Sequence, residues 1–155
     1  MNKNIPDLPF AEKEAHDSTG LLLWQLTTLW QRAITAALKP YELTQVQFVL
    51  LASLLWLSSK EKPITQVMLA RHAKLDVMMT SQVLRTLESR SLVIRNTHPA
   101  DARAKMLELT QQGKKLAIRA VPAVEAVDNT FFDVVGKQRN KFNGALRSLI
   151  SKDKS

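Results

Sequence analysis

The chain has 155 residues, 45% of them hydrophobic, which suffices for one domain, or for a compact module with a helical appendage, and argues against disorder. A formal net charge of +8 favours polyanionic partners through phosphate neutralisation, although a basic balance alone also fits many soluble proteins. With no cysteine, disulfide frameworks, thiolate zinc sites and thiol redox switching are excluded, and a cytoplasmic location suits the chain.

Residues 1–17 carry Pro6, Pro9 and mixed charges without an apolar centre, so they read as a loose arm, neither signal peptide nor membrane anchor. From Ser18 to about Lys39, apolar residues recur at helical spacing through Leu22, Leu26, Leu29, Ala33 and Ala37, and Pro40 closes a long first helix. Thr44 with Gln47 three residues on has the form of a capping box, opening a second helix that runs to about Ser59. Its apolar run, Val46 to Leu57, is interrupted by Gln47 and Ser53 and is far shorter than the roughly 20 residues that span a bilayer. It is expected in the core.

Lys60 to Pro63 reads as a turn, Thr65 opens a short helix through His72, and Lys74-Leu75 leads to a helix from Asp76 to about Arg90. Two helices joined by so short a turn form a helix-turn-helix unit. The second has an inward row of Thr80, Val83, Leu84 and Leu87, leaving Met78, Ser81, Gln82 and Arg85 toward solvent. Leu92 to Thr97 and Lys105 to Thr110 read as strands around a long loop, His98 to Ala104, the hairpin of a wing. After Thr110 helix resumes: Gly113 is tolerated near its start, Pro122 is expected to kink or break it, and a last helix spans Lys137 to Ile150.

The expected fold is mainly α with a small β-hairpin wing, an α+β winged helix-turn-helix. Its parts are an arm (1–17), a dimerisation helix (18–43), a DNA-binding lobe (44–110) and C-terminal dimerisation helices (111–155). The first helix and the last two are more apolar than a small helix-turn-helix needs, and a second copy of the chain would cover them most simply.

Leu43-Thr44-x-x-Gln47-Phe48-x-x-Leu51, Leu69-Ala70, the Asp76 to Leu87 helix, Leu92-Val93-x-Arg95, Asp101-x-Arg103-x-Lys105 and Leu109-Thr110-x-x-Gly113 follow in order. This series resembles the MarR family of bacterial transcriptional regulators, over roughly Leu21 to Leu149. Two departures stand out: Ser91 occupies the usual glycine after the recognition helix, and Gln45 follows Thr44 where relatives often carry proline. The resemblance implies a homodimer on a pseudo-palindromic operator, commonly a repressor released by small phenolic or aromatic acids.

In that setting the Asp76 helix is expected to enter the major groove. Gln82 suits adenine, Arg85 guanine or phosphate, Ser81 either, and Met78 a thymine methyl. Arg103 suits a narrow minor groove, with Asp101 holding its guanidinium by a paired hydrogen bond. Arg95 and Lys105 are weaker phosphate candidates, and Thr65, Gln66 and Arg71 are candidates for the DNA backbone. The alternative is a winged-helix protein-interaction module that binds DNA weakly.

No phosphate-binding loop or nucleophile motif supports an enzyme, no cofactor is implied, and His16, His72 and His98 are too dispersed for a metal site. Trp24, Trp30 and Trp56 are aromatic enough for an effector pocket, but their helical spacing favours the core. Met78-Met79 suits oxidative sensing, though packing and base contact explain the pair more simply.

Overall fold

The computed structural model describes residues 9, 11, 14–60 and 62–153. In chain order it contains α1 (Thr19–Leu38), α2 (Gln45–Ser58), β1 (Ile64–Thr65), α3 (Gln66–Ala73), α4 (Val77–Ser89), β2 (Val93–His98), β3 (Asp101–Leu109), α5 (Gln111–Phe131) and α6 (Arg139–Ile150). Short 3-10 turns lie at Ala15–Asp17, Lys39–Tyr41 and Asp133–Gln138. The fold is mainly helical with one small antiparallel sheet, as expected; most of the arm expected over 1–17 lies outside the described residues. Among the described residues no helix is long and apolar enough to cross a membrane.

The caps set the helix starts. Thr44 Oγ1 accepts from the Gln47 N–H at 3.2 Å while Gln47 Oε1 accepts from the Thr44 N–H at 3.0 Å, the reciprocal box that starts α2. From there α2 sends Phe48, Leu50, Leu51 and Leu54 into the core. They meet Ile34 and Leu38 of α1, Leu69 of α3, Leu84 and Leu87 of α4, and Ala117, Ala120 and Val124 of α5. At about 1.5–3 kcal/mol for each large aliphatic side chain removed from water, this cluster is the main force holding the lobe to the long helices.

Three helical segments end on a non-glycine residue in the left-handed region: Glu42 (φ 53), Lys74 (φ 53) and Ser91 (φ 56). In each, the following N–H reaches back to a carbonyl five residues earlier: Leu43 to Leu38, Leu75 to Ala70, Leu92 to Leu87. This is the pairing of a Schellman motif, which satisfies otherwise orphaned carbonyls and buries the apolar residue that follows. At Lys74 it forms the turn between α3 and α4, where Lys74 Nζ also donates to Asp153 Oδ2 at 3.0 Å.

The sheet order is β1-β3-β2. Sequence periodicity missed β1 because two residues cannot show alternation; Ile64 pairs with Leu107 and Thr65 with Met106, closing the wing's base onto the helices. The expected seven-residue wing loop is also corrected. β2 and β3 extend to a His98–Asp101 pair, so only Pro99 and Ala100 remain at the tip. The ladder jumps from Thr97–Lys105 to His98–Asp101, so Ala102, Arg103 and Ala104 have no counterparts on β2. That bulge replaces the loop.

α5 runs unbroken through Pro122, so of the expected kink or break the break does not occur. The missing proline N–H leaves the Ile118 carbonyl without its usual donor, a loss of one helix hydrogen bond that the rest of α5 tolerates. α6 begins at Arg139, two residues later than expected, because Gly136 (φ 52, ψ −131) interrupts the helical turn before it. Gly113 is required, not merely tolerated: a Cβ there would overlap the Leu92 carbonyl.

Candidate nucleic-acid interface

One oxygen of Asp76, Oδ1, accepts from the N–H groups of both Met78 (2.8 Å) and Met79 (3.0 Å), fixing the start of α4. Burial in α4 begins only at Thr80, whose hydroxyl donates to the Asp76 carbonyl at 2.8 Å, and continues with Leu84 and Leu87. The whole first turn therefore stands clear of the core. Met78 is 76% exposed and Met79 47%, with Val77 exposed beside them. Gln82 and Arg85 are exposed on the same outer side, whereas Ser81 is half-buried. Val77 and Met79 were missed as outward residues, although the inward row starting at Thr80 implies that the turn before it must protrude.

The rear of α4 is clamped from two directions. Arg90 Nη1 donates to the Glu42 carbonyl at 2.8 Å and to Gln47 Oε1 at 3.3 Å, joining the end of α4 to the elbow between α1 and α2. Arg95, on β2, donates through Nε (2.8 Å) and Nη2 (2.6 Å) to Glu88 Oε2 of α4, with only 19% of its side chain exposed. Its guanidinium is thereby engaged in fixing the wing against α4. A charge-assisted pair of this geometry holds orientation better than a free surface pair.

In the wing, the expected pairing of Asp101 with the Arg103 guanidinium is replaced by a main-chain contact: Asp101 Oδ1 accepts from the Arg103 N–H at 2.9 Å. The short acidic side chain closes the bulge on itself, as Asp commonly does in turns. Arg103 is exposed, and its guanidinium has no partner among the described residues. Lys105 Nζ donates to Thr97 Oγ1 at 3.1 Å across the ladder.

On the preceding helix, Thr65 Oγ1 accepts from the Met68 N–H at 3.2 Å as the cap of α3. Gln66 is half-buried with its Oε1 lacking a hydrogen-bond partner, and Arg71 is exposed. The structure thus brings Met78, Gln82, Arg85 and Arg71 to the outside of the helix-turn-helix and Arg103 to the outside of the wing. It gives Thr65, Arg95 and Asp101 structural contacts of their own.

The three tryptophans do not converge. Trp30 Nε1 donates to Asp128 Oδ1 at 2.7 Å, binding α1 to α5. Trp56, with Lys60 Nζ 5.0 Å from its ring centroid, lines a groove of about 950 Å³ together with Ile64, Leu107, Lys114 and Val121. Trp24 stands exposed on α1.

An ArnR1-like winged-helix domain family matches residues 39–127. The chain is 40% identical over 133 residues to the uncharacterised HTH-type transcriptional regulator YdcH of Bacillus subtilis, covering 86% of this chain and 90% of that protein. Among solved structures, a MarR-family regulator from Rhodococcus sp. RHA1 superposes with a TM-score of 0.76 at 25% identity, over 90% of this chain and 96% of that one. The repressor CouR bound to a 23-mer DNA duplex superposes with a TM-score of 0.75 over 93% of this chain and 99% of that one; at 21% identity this likeness is one of fold. These relatives are transcriptional regulators, not enzymes. The outward first turn of α4, the bulged wing and the matches over most of the chain agree, and the protein belongs to the MarR family of winged-helix transcriptional regulators.

Proposed function

We propose that the protein works in the cytoplasm as a homodimeric repressor of a pseudo-palindromic double-stranded DNA operator, released by a small aromatic or phenolic acid. The observation that carries this reading is the α4 surface: a capped, core-anchored helix whose first turn and Gln82–Arg85 edge are outward, beside a wing carrying the unpartnered Arg103. Major-groove width accommodates one such helix, and the wing's arginine suits the stronger negative potential of an adjacent narrow minor groove. Gln82, Arg85 and Met78 then read base edges, with Ser81 at the margin, while Arg71, Gln66 and Lys105 lie beside the phosphates.

The dimer reading rests on apolar surface left uncovered among the described residues. Leu21, Leu22, Leu23, Trp24 and Leu29 of α1, Ile118 of α5, and Leu149 and Ile150 of α6 are all exposed, and α6 has no buried residue. Apolar exposure on this scale is unusual for a monomer. The effector reading draws on BpsR of Bordetella bronchiseptica, a fold neighbour whose DNA binding is regulated by 6-hydroxynicotinic acid. A ligand releases DNA only by favouring a dimer geometry that fits the operator less well.

Fluorescence anisotropy against genomic fragments over a series of salt concentrations tests the proposal. A preferred fragment with two symmetric half-sites and a steep salt dependence is expected. Uniformly weak binding would favour the same surface serving as a protein-interaction module.

A further inference from the structure

The first turn of α4 carries three consecutive exposed apolar side chains, Val77, Met78 and Met79, on the surface assigned to DNA. Two of them are thioethers. The other methionines among the described residues, Met68 and Met106, are half-buried, and the chain has no cysteine to compete for an oxidant. We propose that Met78 and Met79 form an oxidation site whose conversion to sulfoxide in the free protein prevents it from binding DNA. This rests on the DNA-reading role proposed above.

The oxidant class is a hypohalous acid. In the net reaction with hypochlorous acid, a thioether gains the oxygen, sulfur loses two electrons, chlorine is reduced to chloride, and one proton is released. The product is a sulfoxide, returned to thioether by a dithiol-dependent reductase that removes the oxygen as water. Exposure directs the reaction: Met78 is 76% exposed, and Met79 follows at 47%.

The chemical effect at this position is large because of what the turn faces. A thioether offers a flexible apolar contact to a thymine methyl, whereas a sulfoxide presents a strong acceptor to a groove already rich in acceptors, N7, O6 and O4. Within the turn the N–H groups of Met78 and Met79 are both already taken by Asp76 Oδ1. An acceptor carried into the interface without a donor loses its water and gains nothing in return. Two-fold assembly would place the lesion in both half-sites. DNA covers the turn when bound, so the free protein is the form that reacts, and oxidation prevents rebinding.

The test treats the full chain with stoichiometric hypochlorite, maps sulfoxide by peptide mass spectrometry, and measures affinity for the preferred genomic fragment before and after. Met78→Leu/Met79→Leu, which keeps an apolar turn but cannot accept oxygen, is measured in parallel; both positions lie outside the core. Oxidation of Met78 and Met79 ahead of Met68 and Met106 is expected, with affinity falling on the order of tenfold or more in the native chain. Reductase should restore it, and the leucine variant, whatever its starting affinity, should show no fall from its own untreated value after the same treatment. Undiminished affinity with Met78 and Met79 fully converted, or an equal loss in the leucine variant, overturns the switch alone. Absence of any preferred fragment for the untreated protein overturns the DNA reading and the switch together.

Discussion

Gln82 and Arg103 are both exposed, and the proposed docking sets them against different chemistry. A glutamine amide discriminates by matching a donor and acceptor to one base edge, whereas an arginine in the minor groove responds mainly to potential. Arg103→Ala is therefore expected to weaken binding to all sequences and lower the slope of log affinity against log salt by about one per arginine, or about two per dimer. Gln82→Ala should leave the slope alone and flatten the preference at one base pair per half-site, a loss of about 1–3 kcal/mol in discrimination. Anisotropy titrations over a salt series separate the two effects; identical responses would contradict the division of labour.

At Ser91 the issue is conformational. Its φ of 56 carries the left-handed strain of an L residue, while its carbonyl accepts from Thr110 Oγ1 at 2.7 Å. Ser91→Gly keeps that carbonyl and removes the strain, a gain of about 0.5–1 kcal/mol after the extra freedom of glycine in the unfolded chain is counted. Thermal unfolding reads it directly. The left-handed requirement was legible once a helix was expected to end there, because the family resemblance implies a glycine at the position of Ser91.

Among the elements, the junction of α4, β2 and α5 is the most constrained. Thr110 caps α5 through the Gly113 N–H (2.9 Å), donates its hydroxyl to Ser91, and donates its N–H to the Leu92 carbonyl at 3.1 Å. Gly113 packs directly on that carbonyl. Gly113→Ala must push α5 away from the end of the recognition helix, and overpacking of this kind costs about 1–3 kcal/mol. Chemical denaturation should register the loss, together with weaker DNA binding at temperatures where the protein remains folded. An unchanged denaturation midpoint would mean that the junction yields without strain.

Helix boundaries were readable because their signals are local: Ser18, Thr44, Thr65, Asp76 and Thr110 each accept from an N–H in the turn they begin. The wing was harder. Asp101 to Ala104 resemble a loop in sequence, yet pairing of His98 with Asp101 and the Asp101 contact to the Arg103 N–H turn them into strand and bulge. β1 exists only through its partners Leu107 and Met106 on β3, and no local signal at Pro122 says that the helix continues through it. These are tertiary facts. Within the candidate site, the outward edge of α4 followed from periodicity, whereas the Arg95–Glu88 pair joins two elements whose relative placement no local pattern specifies.

For the whole molecule, α6 is the informative part. It has no buried residue, and its Phe142 ring lies 6.1 Å from that of Phe132 in the turn region leading into it. Ending the chain at Lys137 should leave the core of the lobe intact while abolishing or greatly weakening the proposed dimer, with loss of high-affinity binding to a two-half-site fragment. Sedimentation gives the outcome; a stable dimer of the shortened chain would move the interface away from α6. The tie from Lys74 to Asp153 would be lost as well, but with its side chains 43% and 50% exposed it contributes little stability by itself.

In the proposed dimer, the placement of Trp24 on α1 would make it an optical gauge of assembly. Its indole is 71% exposed on α1, while Trp30 is held between α1 and α5 by Asp128 whether or not a second chain is present. As protein concentration rises through the range of dimer formation, burial of Trp24 should shift the emission to the blue, and Trp24→Phe should abolish the shift. The same colour change, followed while an aromatic acid is added, would distinguish a ligand that separates the protomers from one that turns them against each other.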